Sequence, residues 1–243
     1  MLKNHLEIKT LNIRTEINYS LKAIQLSDFH FKEAGRLEKD VKSYLESNNY
    51  DLLFLTGDYL SSPDKLDDFF KYLDLIDFKA PVIAVPGNHD YKLDINKFAG
   101  RFKASNIIFL ENDNYIYEQV NQKINIIGVG SPDLGKDDFK QAVQGIDLED
   151  GYNIILSHTY DILDSVNDYN IDLILAGDTH GGQIRIPVIG DWLLKKLFNM
   201  KYISGEYNID DTVLYINRGI GTSGLPFRFN CRPEMTLINF IPK

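Results

Sequence analysis

A chain of 243 residues, 44% hydrophobic and 25% charged, can bury a full core and fits one large α/β domain at least as well as two small ones. Its net charge of −9 argues against broad nucleic-acid binding, which needs a basic stripe, but leaves room for a small phosphorylated substrate held through metal ions. The single cysteine, Cys231, excludes an intrachain disulfide, no apolar run reaches the roughly 18 residues of a membrane span, and no signal-peptide pattern opens the chain, so the expectation is a cytoplasmic protein.

Residues 6–17 alternate loosely through Leu6, Ile8, Leu11, Ile13 and Ile17, which predicts one or two half-exposed strands. Residues 21–26 are the first of five short apolar runs that read as buried strands; the others are 51–56, 81–85, 153–156 and 172–176. Between the first two, Leu37, Val41, Tyr44 and Leu45 recur at helical spacing over residues 36–47. A second helix is predicted over 64–75, with Pro63 at the position helices favour for their start. This alternation makes a right-handed β-α-β unit the default.

A helix over 94–103 leads into a strand at 107–110, and strands at 115–120 and 124–129 are joined by Asn121-Gln122-Lys123 as a hairpin. Helices are predicted near 136–144 and 160–166, and residues 182–186, 201–208, 212–216 and 235–241 read as extended. With no repeat, low-complexity tract or linker, residues 1–243 read as one domain of two packed mixed sheets with helices outside.

Every one of the five strands ends in a polar cluster: Asp28-Phe29-His30, Gly57-Asp58, Gly87-Asn88-His89-Asp90, Ser157-His158 and Gly177-Asp178-Thr179-His180. Four of the five histidines fall in these stretches and only His5 is left over. Taken singly, each is ordinary: Gly-Asp is turn chemistry, and a lone His is more often a hydrogen-bonded residue near the core. Five in order, each after a strand, are not explained as turns, because chemistry in open α/β sheets gathers beyond the carboxyl ends of strands. Imidazole suits Zn, Fe, Ni and Cu, while carboxylate and carbonyl oxygens suit Mn and Mg. There are more ligands than one ion can use, which suggests two ions sharing a carboxylate, about 3.5–4 Å apart, and hence phosphoester hydrolysis.

The order and spacing of these stretches resemble the signature of the calcineurin-like metallophosphoesterases across residues 22–183: Asp-X-His, Gly-Asp, Gly-Asn-His-Asp/Glu, a lone His and Gly-His-X-His. Gly181-Gly182-Gln183 and the late Arg218-Gly219-Ile220-Gly221-Thr222-Ser223-Gly224 resemble the bacterial branch that includes YkuE-like and YaeI-like phosphodiesterases. The resemblance implies an α/β (α+β) fold, a four-layer sandwich of two mixed β-sheets flanked by helices. It also implies two divalent metal ions, Mn first and then Mg, Fe, Zn or Ni, and a phosphodiesterase or phosphomonoesterase whose metal-bridging hydroxide attacks phosphorus. The substrate would be a small phosphoester or a lipid-linked one, since some relatives are linked to lipid A precursors such as UDP-diacylglucosamine.

Carried across residue by residue, Asp28, His30 and His180 would bind the first metal and Asp58 would bridge both. Asn88, His158 and Asp178 would bind the second. His89 would stay off the metals and protonate the leaving oxygen or clamp the phosphate, with Asp90 orienting it; an alkoxide leaves poorly unless protonated or metal-bound. The chain departs from the pattern once, since Asp178 stands where the signature has His. A third carboxylate facing two cations predicts a harder second site that prefers Mn or Mg and attracts phosphate less strongly.

Arg185, Arg218, Arg228 and Arg232 are candidates for phosphate contact, although scattered arginines are more often solvated or paired. Residues 191–200 place Trp192, Leu193, Leu194, Leu197 and Phe198 around Lys195 and Lys196. That pattern suits an amphipathic helix making peripheral contact with a membrane or lipid substrate through Trp192 to Phe198, or one packed on the protein's own sheet. The alternatives to a phosphodiesterase are a lipid-linked pyrophosphohydrolase and a non-catalytic scaffold on the same fold. The completeness of the site argues against the scaffold, and only Asp178 favours it.

Overall fold

The computed structural model describes residues 5–186, 192, 194–196 and 199–243. In chain order its first half comprises β1 (Glu7–Thr15), β2 (Leu21–Leu26), α1 (Arg36–Ser47), β3 (Leu52–Thr56), α2 (Leu66–Asp74), β4 (Val82–Val85), α3 (Ile95–Ala104) and β5 (Ile108–Phe109). The second half comprises β6 (Asp113–Gln119), β7 (Gln122–Gly128), α4 (Phe139–Ala142), β8 (Tyr152–Leu156), α5 (Leu163–Val166), β9 (Leu173–Ala176), β10 (Gly205–Ile209), β11 (Thr212–Ile216) and β12 (Glu234–Pro242).

These strands form two six-stranded mixed sheets, ordered β1-β12-β2-β3-β4-β5 and β10-β11-β9-β8-β7-β6. In the first, β2 to β5 run parallel and β12 enters antiparallel beside β2. In the second, β7, β8, β9 and β11 run parallel, and hairpin partners β6 and β10 close the two edges antiparallel.

The sequence dictates the layering through the two-residue period of a strand. Leu53 and Leu55 of β3 meet the α1, α2 and α3 side, while Leu52 and Phe54 face the other sheet. In the second sheet Ile155 meets the α4 and α5 side, whereas Ile154 and Leu156 turn inward. Strands buried on both faces need runs without polar alternation, as β3, β4 and β9 have. The helix layer over the first sheet is aromatic: Phe98 packs edge-on to Phe102 at 4.9 Å and Phe70 to Phe102 at 5.0 Å between ring centres. The result is the expected sandwich of four layers.

Some elements differ from the sequence reading. The helix expected over 64–75 begins as a 3-10 turn, Pro63–Lys65, before α2. The helix expected near 136–144 shrinks to the four-residue α4, whereas the one expected near 160–166 spans those residues as a 3-10 turn, Tyr160–Ile162, running into α5. Asp138 caps α4 by accepting from Gln141 N, and soon after it the chain turns at Gly145, whose φ is +82°. The hairpin between β6 and β7 turns through Val120 and Asn121, at φ 52° and 57°, and not through 121–123, because Gln119 pairs with Gln122. Residues 182–186 form no strand and make one isolated bridge, Ile184 to Phe229. Within the amphipathic segment, Leu193, Leu197 and Phe198 lie outside the described residues. Leu194 is buried against Gly182, and Trp192 is 61% exposed.

Candidate metal centre

The carboxyl ends of β2, β3 and β4 in one sheet meet those of β8 and β9 in the other, and this junction brings all nine predicted site residues together. Two side-chain bonds tie the sheets directly beneath it. Gln25 Nε2 donates to Ala176 O at 2.9 Å, and His158 Nδ1 lies 2.7 Å from Thr56 O. A carbonyl only accepts, so His158 carries its proton on Nδ1 there and points Nε2 into the cleft.

Asp28, His30, Asp58, Asp178 and His180 have φ of 51°, 40°, 56°, 67° and 51°, the left-handed region that costs non-glycine residues of order 1 kcal/mol or more each. Such backbone persists where neighbours overdetermine it. Asp28 N donates to Gly57 O, His30 N to Asp58 O, and Gly221 N to Asp28 O. Two glycines are required by close approach. A Cβ on Gly87 would overlap the amide nitrogen and carboxylate of Asp58, and one on Gly57, itself at φ +89°, would sit 2.8 Å from His158 Nδ1.

Among the described residues, three sets of side chains offer ligand atoms all within 4.8 Å of one another: Asp28, His30 and His180; His30, Asp58 and His89; and Asp28, Asp58 and His158. Asp58 lies between both halves of the site, with His30 Nε2 at 3.3 Å from one carboxylate oxygen and His158 Nε2 at 3.4 Å from the other. His180 Nε2 is 3.4 Å from Asp28 Oδ1, and Asp178 Oδ1 is 3.6 Å from His158 Nε2. His89 reaches the same cluster, its ring edge-on to His30 at 5.2 Å, and its Nδ1 is 3.2 Å from Lys92 Nζ.

Burial and charge set the protonation states. Burial lowers His30 to about 4, against the pull of Asp58, and lowers His180 to about 3 with help from the Arg228 guanidinium. Both imidazoles are therefore neutral near pH 7, the form that binds metal. Burial alone would lower His158 as well, but Asp58, Asp28 and Asp178 around it hold it well above the usual histidine range. Asp58 is the counterpart: burial would raise it, and His158 with His30 draws it down.

Asp90 has different partners from those expected. Its carboxylate does not touch the His89 ring and instead accepts from the backbone N–H of Asp58 at 2.9 Å, Tyr59 at 3.1 Å and Gly87 at 2.8 Å. It therefore pins the loops after β3 and β4 together, positioning His89 through the backbone. Burial, with Asp58 nearby, lifts it to about 7 in the absence of cations, despite those donors.

The arginines do not line the cleft as free cations. Arg218 pairs with Glu234 and Glu7. Arg228 is buried at 2% exposure and donates to His180 O at 3.1 Å and to Gly221 O and Arg218 O, holding the His180 loop from behind. Sequence reasoning missed that role, and it missed Asp133, whose Oδ2 accepts from Asn88 Nδ2 at 2.8 Å and turns Asn88 Oδ1 toward the site. Neither residue sits at a strand end, so no local signal marked them.

The donor set fits divalent cations. Buried polar atoms almost always find partners, yet among the described residues six side-chain atoms do not, and Asp28 Oδ1, Asn88 Oδ1 and His158 Nε2 are three of them. Oxygen and imidazole nitrogen converging without hydrogen bonds is the arrangement a cation satisfies.

Comparison with known proteins agrees with this chemistry. The calcineurin-like phosphoesterase model matches residues 21–182. The metallophosphoesterase YkuE of Bacillus subtilis is 30% identical over 89% of this chain and 77% of its own length. The phosphodiesterase YaeI of Escherichia coli is 28% identical over 90% of this chain and 82% of its own. The UDP-2,3-diacylglucosamine pyrophosphatase LpxG of Chlamydia trachomatis is 25% identical over 97% and 91%. The chain belongs to the calcineurin-like phosphoesterase family and is a metal-dependent phosphoester hydrolase.

Proposed function

We propose that the chain is a phosphodiesterase working with two divalent cations. Asp28, His30 and His180 hold one, Asn88, His158 and Asp178 hold the other, and Asp58 is shared. The observation that carries this reading is the set of buried, unpartnered Asp28 Oδ1, Asn88 Oδ1 and His158 Nε2 in one cleft. Two such ions supply positive charge to phosphoryl oxygens and acidify the attacking water.

The protein's own groups supply the rest. His30 and His180 are neutral at neutral pH, with their Nε2 atoms 3.1 Å apart in the cleft where a cation would take the place of the contact between them, and Thr56 O fixes the His158 tautomer. His89 stands at the half-buried rim, with its backbone N–H on Asp58 Oδ1 at 2.9 Å, and is the group that protonates the leaving oxygen or holds a phosphate oxygen. Asp178 adds a third carboxylate to the cleft, which favours a substrate with one negative charge, a diester, over a monoester that carries nearly two. The same carboxylate favours Mn or Mg at the second site.

The test compares bis-p-nitrophenyl phosphate with p-nitrophenyl phosphate, using metal-stripped protein refilled with single metals. The expected result is metal-restored turnover favouring the diester; faster turnover of the monoester would overturn the diester assignment. The similarity to LpxG supports a second reading, a lipid-linked pyrophosphate substrate, which hydrolysis of UDP-2,3-diacylglucosamine would establish.

A further inference from the structure

We infer that the rim beside the metal cleft, formed by residues 183–186, 192, 194–196 and 225–229, is a docking face for an anionic lipid bilayer. The face is built in layers. Leu225, Phe227 and Phe229 are 51%, 42% and 39% exposed, while Arg228 between them is 2% exposed, an alternation that turns the apolar side chains out and the guanidinium in. Arg228 is fixed from inside by carbonyls of His180, Arg218 and Gly221, so the apolar edge is held in solvent by the same contacts that hold a candidate metal ligand.

The loop after His180 joins this edge. Arg185 N donates to Phe229 O at 2.9 Å, Phe229 N to Gln183 O at 2.9 Å, and Gln183 Nε2 to Leu225 O at 3.0 Å, which sets Ile186, 44% exposed, on the same rim. Leu194 packs over Gly182 and carries with it Trp192, 61% exposed, whose ring lies 4.9 Å from Lys196 Nζ. An exposed apolar cluster of this kind marks an interaction surface.

Charge selects the occupant. In a chain of net charge −9, the exposed Lys195 and Lys196 lie beside Trp192 on this rim, whereas Arg218 and Arg228 add nothing to its charge, being held by Glu7 and Glu234 and by backbone carbonyls. Aromatic and aliphatic side chains among lysines suit an interface of acyl chains and anionic headgroups. A second copy of the chain docked by the same face would set like charges opposite one another, which argues against self-association. Among the described residues no helix is long and apolar enough to cross a membrane, so the contact is peripheral. A cavity of about 240 Å³ lined by His30, Thr222, Pro226 and Arg228 opens between this rim and the metal site.

The test is co-sedimentation of the purified full chain with phosphatidylcholine vesicles, with and without phosphatidylglycerol. Binding is expected to phosphatidylglycerol vesicles and to weaken with salt. Leu225→Ser/Phe227→Ser and Lys195→Glu/Lys196→Glu are each expected to lower it about tenfold or more. Both double variants should keep the wild-type melting temperature and turnover of a water-soluble diester. The inference is overturned by absence of vesicle binding, by binding that both variants retain, or by light scattering that shows the face closing a dimer of the wild type.

Discussion

Replacing Asp133 by Ala removes the acceptor for the Asn88 amide nitrogen and leaves every candidate ligand in place. Asn88 Nδ2 donates to Asp133 Oδ2 at 2.8 Å, while Asp133 Oδ1 takes the Ser131 hydroxyl. Without Asp133 the next acceptor for Nδ2 is Asp178 Oδ1 at 3.5 Å, so the amide would spend its donor on a second-site carboxylate and swing its own oxygen away. Partners of this sort commonly change metal affinity by roughly 10- to 100-fold. Asp133 is solvent-exposed and its charge is screened, which puts the expected loss at the low end, about tenfold for one of two ions, or ~1.4 kcal/mol. The assay is calorimetric titration of metal-stripped protein with Mn, with melting temperature as the folding control. Asp133→Asn retains an acceptor oxygen and should recover most of the affinity. Two ions bound at wild-type affinity by Asp133→Ala would refute the reasoning.

Three further outcomes follow from the same geometry. Asp178→His should move metal preference toward Zn, Fe or Ni in a competition titration, and an unchanged preference would remove the argument from the third carboxylate. Gly87→Ala should destabilise the fold by ~1–3 kcal/mol and abolish binding of two ions, because the new methyl overlaps Asp58; equilibrium denaturation reads the first and titration the second. Without metal, burial pushes Asp178 up to about 6 despite the neighbouring His158, with Asp28 and Asp58 adding to the rise. A folded-state value above the unfolded one means that its contribution is present near pH 4 and lost as pH rises through 6. Metal-stripped wild type should therefore lose more melting temperature between pH 5 and 7 than Asp178→Asn, and equal losses would contradict that assignment.

Much of this was legible in the sequence because the information was local. The five central strands begin and end within a residue of the apolar runs, and α1 spans Arg36–Ser47 as its spacing implies. Features set by distant parts of the chain were not legible. Asp133 orients a residue 45 positions away, and Arg228 braces one 48 positions away, so neither leaves a pattern in its own neighbourhood. Positive φ at Asp28, His30 and Asp58 was equally hidden, since only glycine advertises that conformation. Asp90 misled for a related reason: adjacent to His89 in sequence, it spends its carboxylate on backbone donors of another loop. The short α4 shows propensity yielding to a cap and a turn that tertiary packing imposes.

The most direct test of the shared-carboxylate centre is diester hydrolysis by metal-refilled wild type, Asp58→Ala and His89→Ala, with bound metal counted in each. Asp58 contacts both halves of the site and His89 stands at its rim, so Asp58→Ala should lose metal and turnover together. His89→Ala should keep two ions and lose about 10²- to 10⁴-fold in turnover. Full turnover in Asp58→Ala, or loss of metal in His89→Ala matching that in Asp58→Ala, would contradict the division of roles between them.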